Sequence, residues 1–252
     1  YGTSFIAPSL FRRFASTAIG QGFSDCPVAQ GAPCTGEQNF RIALFQNGNP
    51  DLRPETSTAW SFGGTVKPLR GLTIEGTWWK FDFDNKIATE TAESIVLANP
   101  NGTAANPVIR DVNGRVVSVT VRYFNTARVV TEGIDLSATY STSLGNLGDL
   151  DLNVAGTYTY KYDFQDRPGG PVIDAAGQTN DRRTASPNTK LRINGRVTWS
   201  IDGHRLTALA RYHGPLDFTL NPSVRIGSFM PVDLAYEYRF GAGGREFNIG
   251  VC

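Results

Sequence analysis

The sequence predicts an all-β protein: an antiparallel, up-and-down transmembrane β-barrel of which about nine strands are present. Three observations predict it. Several segments alternate apolar and polar residues with period two, the connections between them alternate between short and long, and aromatic residues on the apolar face gather at two levels. Composition agrees with strands. Of 252 residues, 40% are hydrophobic and 19% charged, Gly is abundant and Met occurs once. Thr, Val, Tyr and Phe suit a pleated surface because β-branched and aromatic side chains pack well there.

The strands follow in chain order. Residues 58–66 put Trp60, Phe62 and Val66 on one face. In 72–84 the phase slips: Leu72, Ile74 and Trp78 share one face and Trp79, Phe81 and Phe83 the other, which predicts a β-bulge at Trp78 and Trp79. Residues 131–140 align Ile134, Leu136 and Tyr140. The clearest segment is 150–162, where Leu150, Leu152, Val154, Gly156, Tyr158, Tyr160 and Tyr162 alternate with polar or small residues. Residues 191–199, 206–213 and 232–240 continue the series, and 246–251 begins one more strand.

The connections carry the next step. Short ones cover 69–71, 141–149, 201–204 and 241–244; long ones cover 7–55, 85–130, 163–188 and 214–229 and are rich in Pro, Gly, Asn and Asp. Sorting by length between two ends is what an outer-membrane barrel requires, with short periplasmic turns and long extracellular loops. Interface aromatics then fall at both boundaries: Tyr140, Trp199, Tyr236, Tyr238 and Phe240 near the short turns, and Trp60, Tyr158, Tyr160 and Tyr212 near the long loops. Strand lengths of about 9 to 13 residues suit a tilted crossing. Alternation by itself also fits a water-soluble β-sandwich, although sandwich strands are shorter and their loops are not sorted by length.

Several classes are excluded. A formal net charge of +1 gives no electrostatic case for nucleic acid. No stretch is long and apolar enough for a membrane-crossing helix, and the first residues lack the features of a signal peptide. No enzyme constellation, metal site or cofactor motif is present. His204, in a turn, and His213, at a strand end, have no neighbouring ligand pattern. Asp82 and Asp84 share a strand face and read as lumen-lining or strand-capping rather than as paired catalytic carboxylates. The run from Gly241 to Gly244 is a turn, not a phosphate loop. Cys26 and Cys34 lie close together in a Pro/Gly-rich stretch, either as a loop disulfide or as two unrelated thiols. Tyr1 and Cys252 both read as cuts in a longer protein.

Four short motifs then resemble one family, in its order. Tyr1 to Leu10 (YGTSFIAPSL) resembles a strand end that in the family reads roughly "sFRAPsL", with Ile6 where Arg is common. Asn49 to Ser57 (NPDLRPETS) resembles the signature "NPdLkPEtS"; Glu132 to Leu136 (EGIDL) resembles "kGiDl"; and Val232-Asp233-Leu234 resembles "vDl". The sequence is identified as similar to the C-terminal barrel of TonB-dependent outer-membrane receptors.

The resemblance implies a 22-stranded barrel around a plugged lumen, with residues 1–252 a partial barrel domain truncated at both ends. It further implies active uptake of a scarce ligand across the outer membrane of a Gram-negative bacterium, powered by the TonB–ExbB–ExbD complex through a plug and TonB box outside this chain. Ferric siderophore is the default ligand. Cobalamin, carbohydrate, peptide, a passive porin and a soluble binding module stay as alternatives. Aromatic and cationic groups in the long loops are the expected ligand contacts: Phe11, Arg12, Arg13 and Phe14 first, then Arg122 with Tyr123, and Arg182 with Arg183.

Overall fold

A strand with one apolar and one polar side pairs most simply with its neighbour along the chain, so that all apolar sides share one surface. The computed structural model describes residues 1–23, 25, 40–126, 128–165, 170–180, 185–219, 221, 223–242 and 245–251. β1 (Gly2–Ile6), α1 (Leu10–Phe14), β2 (Ser16–Phe23) and β3 (Phe40–Asn47) precede the hairpin of β4 (Glu55–Leu69) and β5 (Leu72–Asp84). β6 (Ile87–Thr89), α2 (Ala92–Ala98), β7 (Val108–Arg110) and β8 (Val116–Asn125) lie before β9 (Arg128–Ser143) and β10 (Asp149–Gln165). There follow β11 (Ile173–Asp174), β12 (Leu191–Ile201), β13 (His204–His213), β14 (Leu216–Asp217), β15 (Arg225–Ile226), β16 (Val232–Ala242) and β17 (Arg245–Val251).

Nine of these strands form one antiparallel wall in the order β1-β4-β5-β9-β10-β12-β13-β16-β17, as the sequence predicts. The turns at the short end are tight. Asp202 and Gly203, both with positive φ, connect β12 to β13; a Cβ on Gly203 would sit 2.4 Å from the Arg239 carbonyl oxygen, so only glycine fits.

Register puts the apolar residues on one surface. Leu72, Tyr140, Leu152, Val197, Ala208 and Leu234 stand in a single row across six strands. This surface stays bare: Phe62 is 82% exposed, Leu234 63%, Leu136 59% and Val154 48%. Among the described residues no second sheet or helix covers it, which removes the sandwich reading. The opposite surface carries Thr73, Glu75, Thr77, Asp135, Arg196 and Arg211, as a water-facing lumen requires.

Two aromatic belts bound the apolar surface. At the short-turn end Trp199 donates its indole N–H to the Leu147 carbonyl oxygen (2.7 Å), while His204 bonds the Tyr236 hydroxyl (2.7 Å) and stacks on Tyr238. At the loop end the Trp78 indole N–H donates to the Tyr160 hydroxyl (2.7 Å), and Tyr1 packs on Trp60. From Leu150 to Tyr160 the apolar face of β10 runs roughly 30 Å along the strand, which a tilt near 40° reduces to roughly 25 Å, the height of a barrel's apolar band.

The predicted bulge is misplaced. β5 keeps unbroken register with β4 and β9 through Trp78 and Trp79. Trp79, Phe81 and Phe83 instead form an inward ladder at the loop end, with Trp79 lying flat over Gly133, where a Cβ would come within 2.3 Å of the indole. The real irregularities are between Val66 and Leu69 in β4 and at Tyr160 in β10. Tyr160 is the extra residue, so even-numbered side chains that face out below it face in above it. Tyr162, expected on the apolar face with Tyr158 and Tyr160, is consequently buried inward with Val129, Phe164, Ala175 and Ala176. The same parity corrects Asp82 and Asp84, which lie on the outward side of β5 beyond the belt rather than in the lumen.

The largest core lies among the loops. β2, β3, β8 and β6 form a second sheet, with β7 also on β8 and with β3 and β8 parallel. Phe23, Phe40, Ile42, Leu44, Val116, Val119 and Val121 turn one face inward, and Ala92, Ile95 and Val96 of α2 close over it. A capping box between Thr91 and Ser94 starts that helix. The described parts of segments 7–55 and 85–126, expected as loops, thus contribute a second folded sheet and helix above the wall.

Candidate ligand-binding face and lumen

The aromatic-cationic cluster sits in α1, where Ser9 accepts from the Arg12 backbone N–H. Its two guanidinium groups are already engaged: Arg12 pairs with Glu55 (3.3 Å), and Arg13 donates to the Pro50 carbonyl oxygen (2.7 and 3.2 Å). They clamp α1 onto the 49–55 segment. The amide of Asn49 donates to the Tyr123 carbonyl oxygen (2.9 Å), and Asn125 accepts from the Arg53 backbone N–H (2.8 Å). The structure therefore brings α1, the 49–55 segment and Arg122 with Tyr123 to one junction.

What this junction leaves open is aromatic. Phe11 and Phe14 are 53% and 65% exposed, and the Arg13 guanidinium lies 5.1 Å from the Phe14 ring centre. Arg122 is half-buried, its backbone N–H donating to Glu90. Arg182, Arg183, Cys26 and Cys34 lie outside the described residues.

Sequence reading missed a groove on the lumenal wall. Glu75, Asp135, Thr157, Arg192, Asn194 and His213 line it, with His213 directly opposite Arg192 in register. Thr157 donates to Asp135 (2.7 Å), and neither Arg192 nor Arg196 forms an ion pair among the described residues. His213 stands at the end of β13, as expected, and its register opposite Arg192 turns it to the lumenal side. The signal lay in strict parity: every second residue from Arg192 faces the lumen. The inward ladder from Trp79 to Phe83 stands at the loop end of the same wall.

Outward and beyond the loop-side belt, Asp82 is held below the usual carboxylate range, chiefly by the hydrogen bond it accepts from the Arg128 guanidinium. Inward at the same level, burial pushes the Tyr162 phenol up.

Against known proteins, a family model described as TonB dependent receptor-like, β-barrel matches residues 1–251. The chain belongs to this family. No curated protein sequence matches it. Among solved structures, the ferric enterobactin receptor PfeA of Pseudomonas aeruginosa aligns with TM-score 0.56 at 16% identity over 95% of this chain and 30% of its own. The siderophore receptor PirA of Acinetobacter baumannii aligns with TM-score 0.54 at 19% identity over 95% of this chain and 32% of its own. The chain therefore spans about a third of the length of these receptors. At such identities the likeness concerns the fold.

Proposed function

We propose that residues 1–252 are a partial barrel domain of an outer-membrane receptor that takes up a ferric siderophore in a Gram-negative bacterium, driven by the TonB–ExbB–ExbD complex acting through parts of the protein outside this chain. The observation that carries the reading is the wall itself, one bare apolar surface between two aromatic belts and a polar surface behind it, in a chain of this receptor family. Lipid covers the first surface, and the second faces the lumen. Of the two solved structures named above, one is described as a ferric enterobactin receptor in complex with enterobactin and the other as a siderophore receptor, which favours a siderophore over cobalamin, carbohydrate or peptide.

The open rings of Phe11 and Phe14 and the half-buried Arg122 suit a catecholate-like, anionic chelate: the rings stack, and the cation offsets the charge. Arg182 and Arg183 belong to the same proposed set. The test is growth of a receptor-deletion strain on a ferric catecholate as iron source. The full-length receptor restores growth, and deletion of TonB abolishes it. Growth indifferent to TonB would instead establish a passive pore. Within the working receptor, replacing both Phe11 and Phe14 with Ala weakens chelate binding about tenfold, read by fluorescence quenching.

A further inference from the structure

The sheet and helix above the wall, together a loop unit, are unfinished along one margin. The sheet runs in the order β2-β3-β8-β6, with β7 also on β8. β6 and β7, three residues each, blunt its far side, while β2 forms an eight-residue edge with no second neighbour among the described residues. β2 keeps unbroken register with β3 from Ser16 to Phe23 and carries no charged residue and no Pro. Edge strands are ordinarily protected from further pairing by short length, charge, Pro or a bulge, and β2 has none of these.

The backbone groups along this edge follow from the ladder. The Gly48 N–H donates to the Ala15 carbonyl oxygen (2.7 Å), one step before the register of β2 with β3 begins. Alternation along an antiparallel pair then turns the N–H and C=O groups of Ala18, Gly20 and Gly22 away from β3. All three residues are small and exposed, and a Cβ added to Gly20 or Gly22 would meet nothing within 4 Å. Gly within a strand marks a place where another backbone can approach closely.

Topology fixes where the edge points. β3 leads into β4 and β8 into β9, so both run toward the wall and lie parallel, whereas β2 follows β1 and runs away from it. The order β2-β3-β8 thus repeats the order of β1, β4 and β9 in the wall, and the outer edges of β2 and β1 open on the same side. A closed barrel leaves no edge, so a further strand pairs with β1 there. The chain spans about a third of the length of the related receptors, which leaves ample sequence to supply that strand from outside residues 1–252. In an up-and-down barrel a long loop leads into it, beside β2.

We infer that the edge of β2 is a docking site for the last strand of that long loop, so that three successive loops share one continuous sheet. A loop strand entering the wall runs toward it, as β3 and β8 do, and therefore pairs antiparallel with β2. The outward groups of Ala18, Gly20 and Gly22 supply the hydrogen bonds. The inference rests on residues 1–252 belonging to a closed barrel, which the altered migration of unheated samples on electrophoresis reports whatever becomes of β2.

The test is deuterium exchange of the full-length receptor in detergent, compared with a form in which the loop leading into the strand before β1 is replaced by a short Gly/Ser linker. In the unaltered receptor the amides of Gly20 and Gly22 exchange about tenfold more slowly than in the loop-replaced form, while those of β9 and β10 exchange alike in both. Ala18→Pro removes one outward N–H, leaves the ladder to β3 intact and brings Gly20 and Gly22 to the rate of the loop-replaced form; Ala18→Val keeps the slow rate. Equal rates in the unaltered and loop-replaced receptors would overturn the site, whether or not the Ala18 variants fold. Slow exchange that is lost on dilution would also overturn it, in favour of pairing with a second copy of the chain.

Discussion

The wall and the loop unit above it use the same period-two alternation to opposite ends. In the wall, Leu136, Val154 and Leu234 are left bare; in the loop unit, Val116, Val119 and Val121 of β8 are sealed against Phe40, Ile42 and Leu44 of β3 and under α2. Alternation specifies a two-sided strand, and the surroundings decide what the apolar side meets. In one region no other part of the described chain covers it, and in the other it seals a miniature core.

The comparison breaks most readily at Val119, which is fully buried. Val119→Asp places an unpaired carboxylate in that core at a cost of about 4 kcal/mol or more. Amides of β3 and β8 then exchange rapidly with deuterium, while β9 and β10 stay protected. If all four lost protection together, the two regions would be one cooperative unit. A smaller effect is expected in the wall. Val154→Arg, near the middle of the apolar band, destabilises by about 2–4 kcal/mol in a bilayer. The same change at Ile19, an exposed loop-unit residue, stays within about 0.5 kcal/mol. Urea titrations in lipid vesicles that gave equal costs at both positions would mean that the wall does not face hydrocarbon.

The smallest effect is expected at the loop end of the wall, where β5 meets β9. The Asp82 carboxyl is held low chiefly by the Arg128 hydrogen bond, so its contribution is complete above the unfolded value near 4 and is lost as pH falls through the lower folded value. Because Arg128 is more than half exposed, solvent keeps this below about 1 kcal/mol. Comparing urea midpoints at pH 7 and pH 3, Arg128→Ala should narrow the difference. An unchanged difference would mean that the pair contributes nothing to the wall's stability.

Much of the wall was legible because the pattern is local. Strand order, the sorting of turns and both belts follow from residues within a dozen positions of each other, as at Leu150 to Tyr158. The bulge was not. The phase change at Trp78 and Trp79 records a switch in which face is apolar, with Phe83 packed inward against the cluster of Val129, Tyr162 and Phe164, whereas Tyr160 hides a real insertion behind an unbroken run of tyrosines. The loop unit escaped notice because its defining contact is remote: Ala43 of β3 lies opposite Ser118 of β8, about 75 positions away. No periodicity reports a parallel pairing across such a distance. The candidate site divided likewise: residue type singled out Phe11 to Phe14 together, but not that the rings stay exposed while Arg12 pairs with Glu55 and Arg13 with the Pro50 carbonyl, and only cross-strand register revealed His213 beside Arg192.

That remote pairing also imposes an order on assembly. β3 and β8 flank the β4–β5 hairpin, so their ends meet cheaply only after the hairpin has zipped and shortened the intervening chain. In a pulsed exchange experiment during refolding, amides of β4 and β5 should acquire protection before those of β3 and β8; the reverse sequence would show that the crown forms first and draws the staves together.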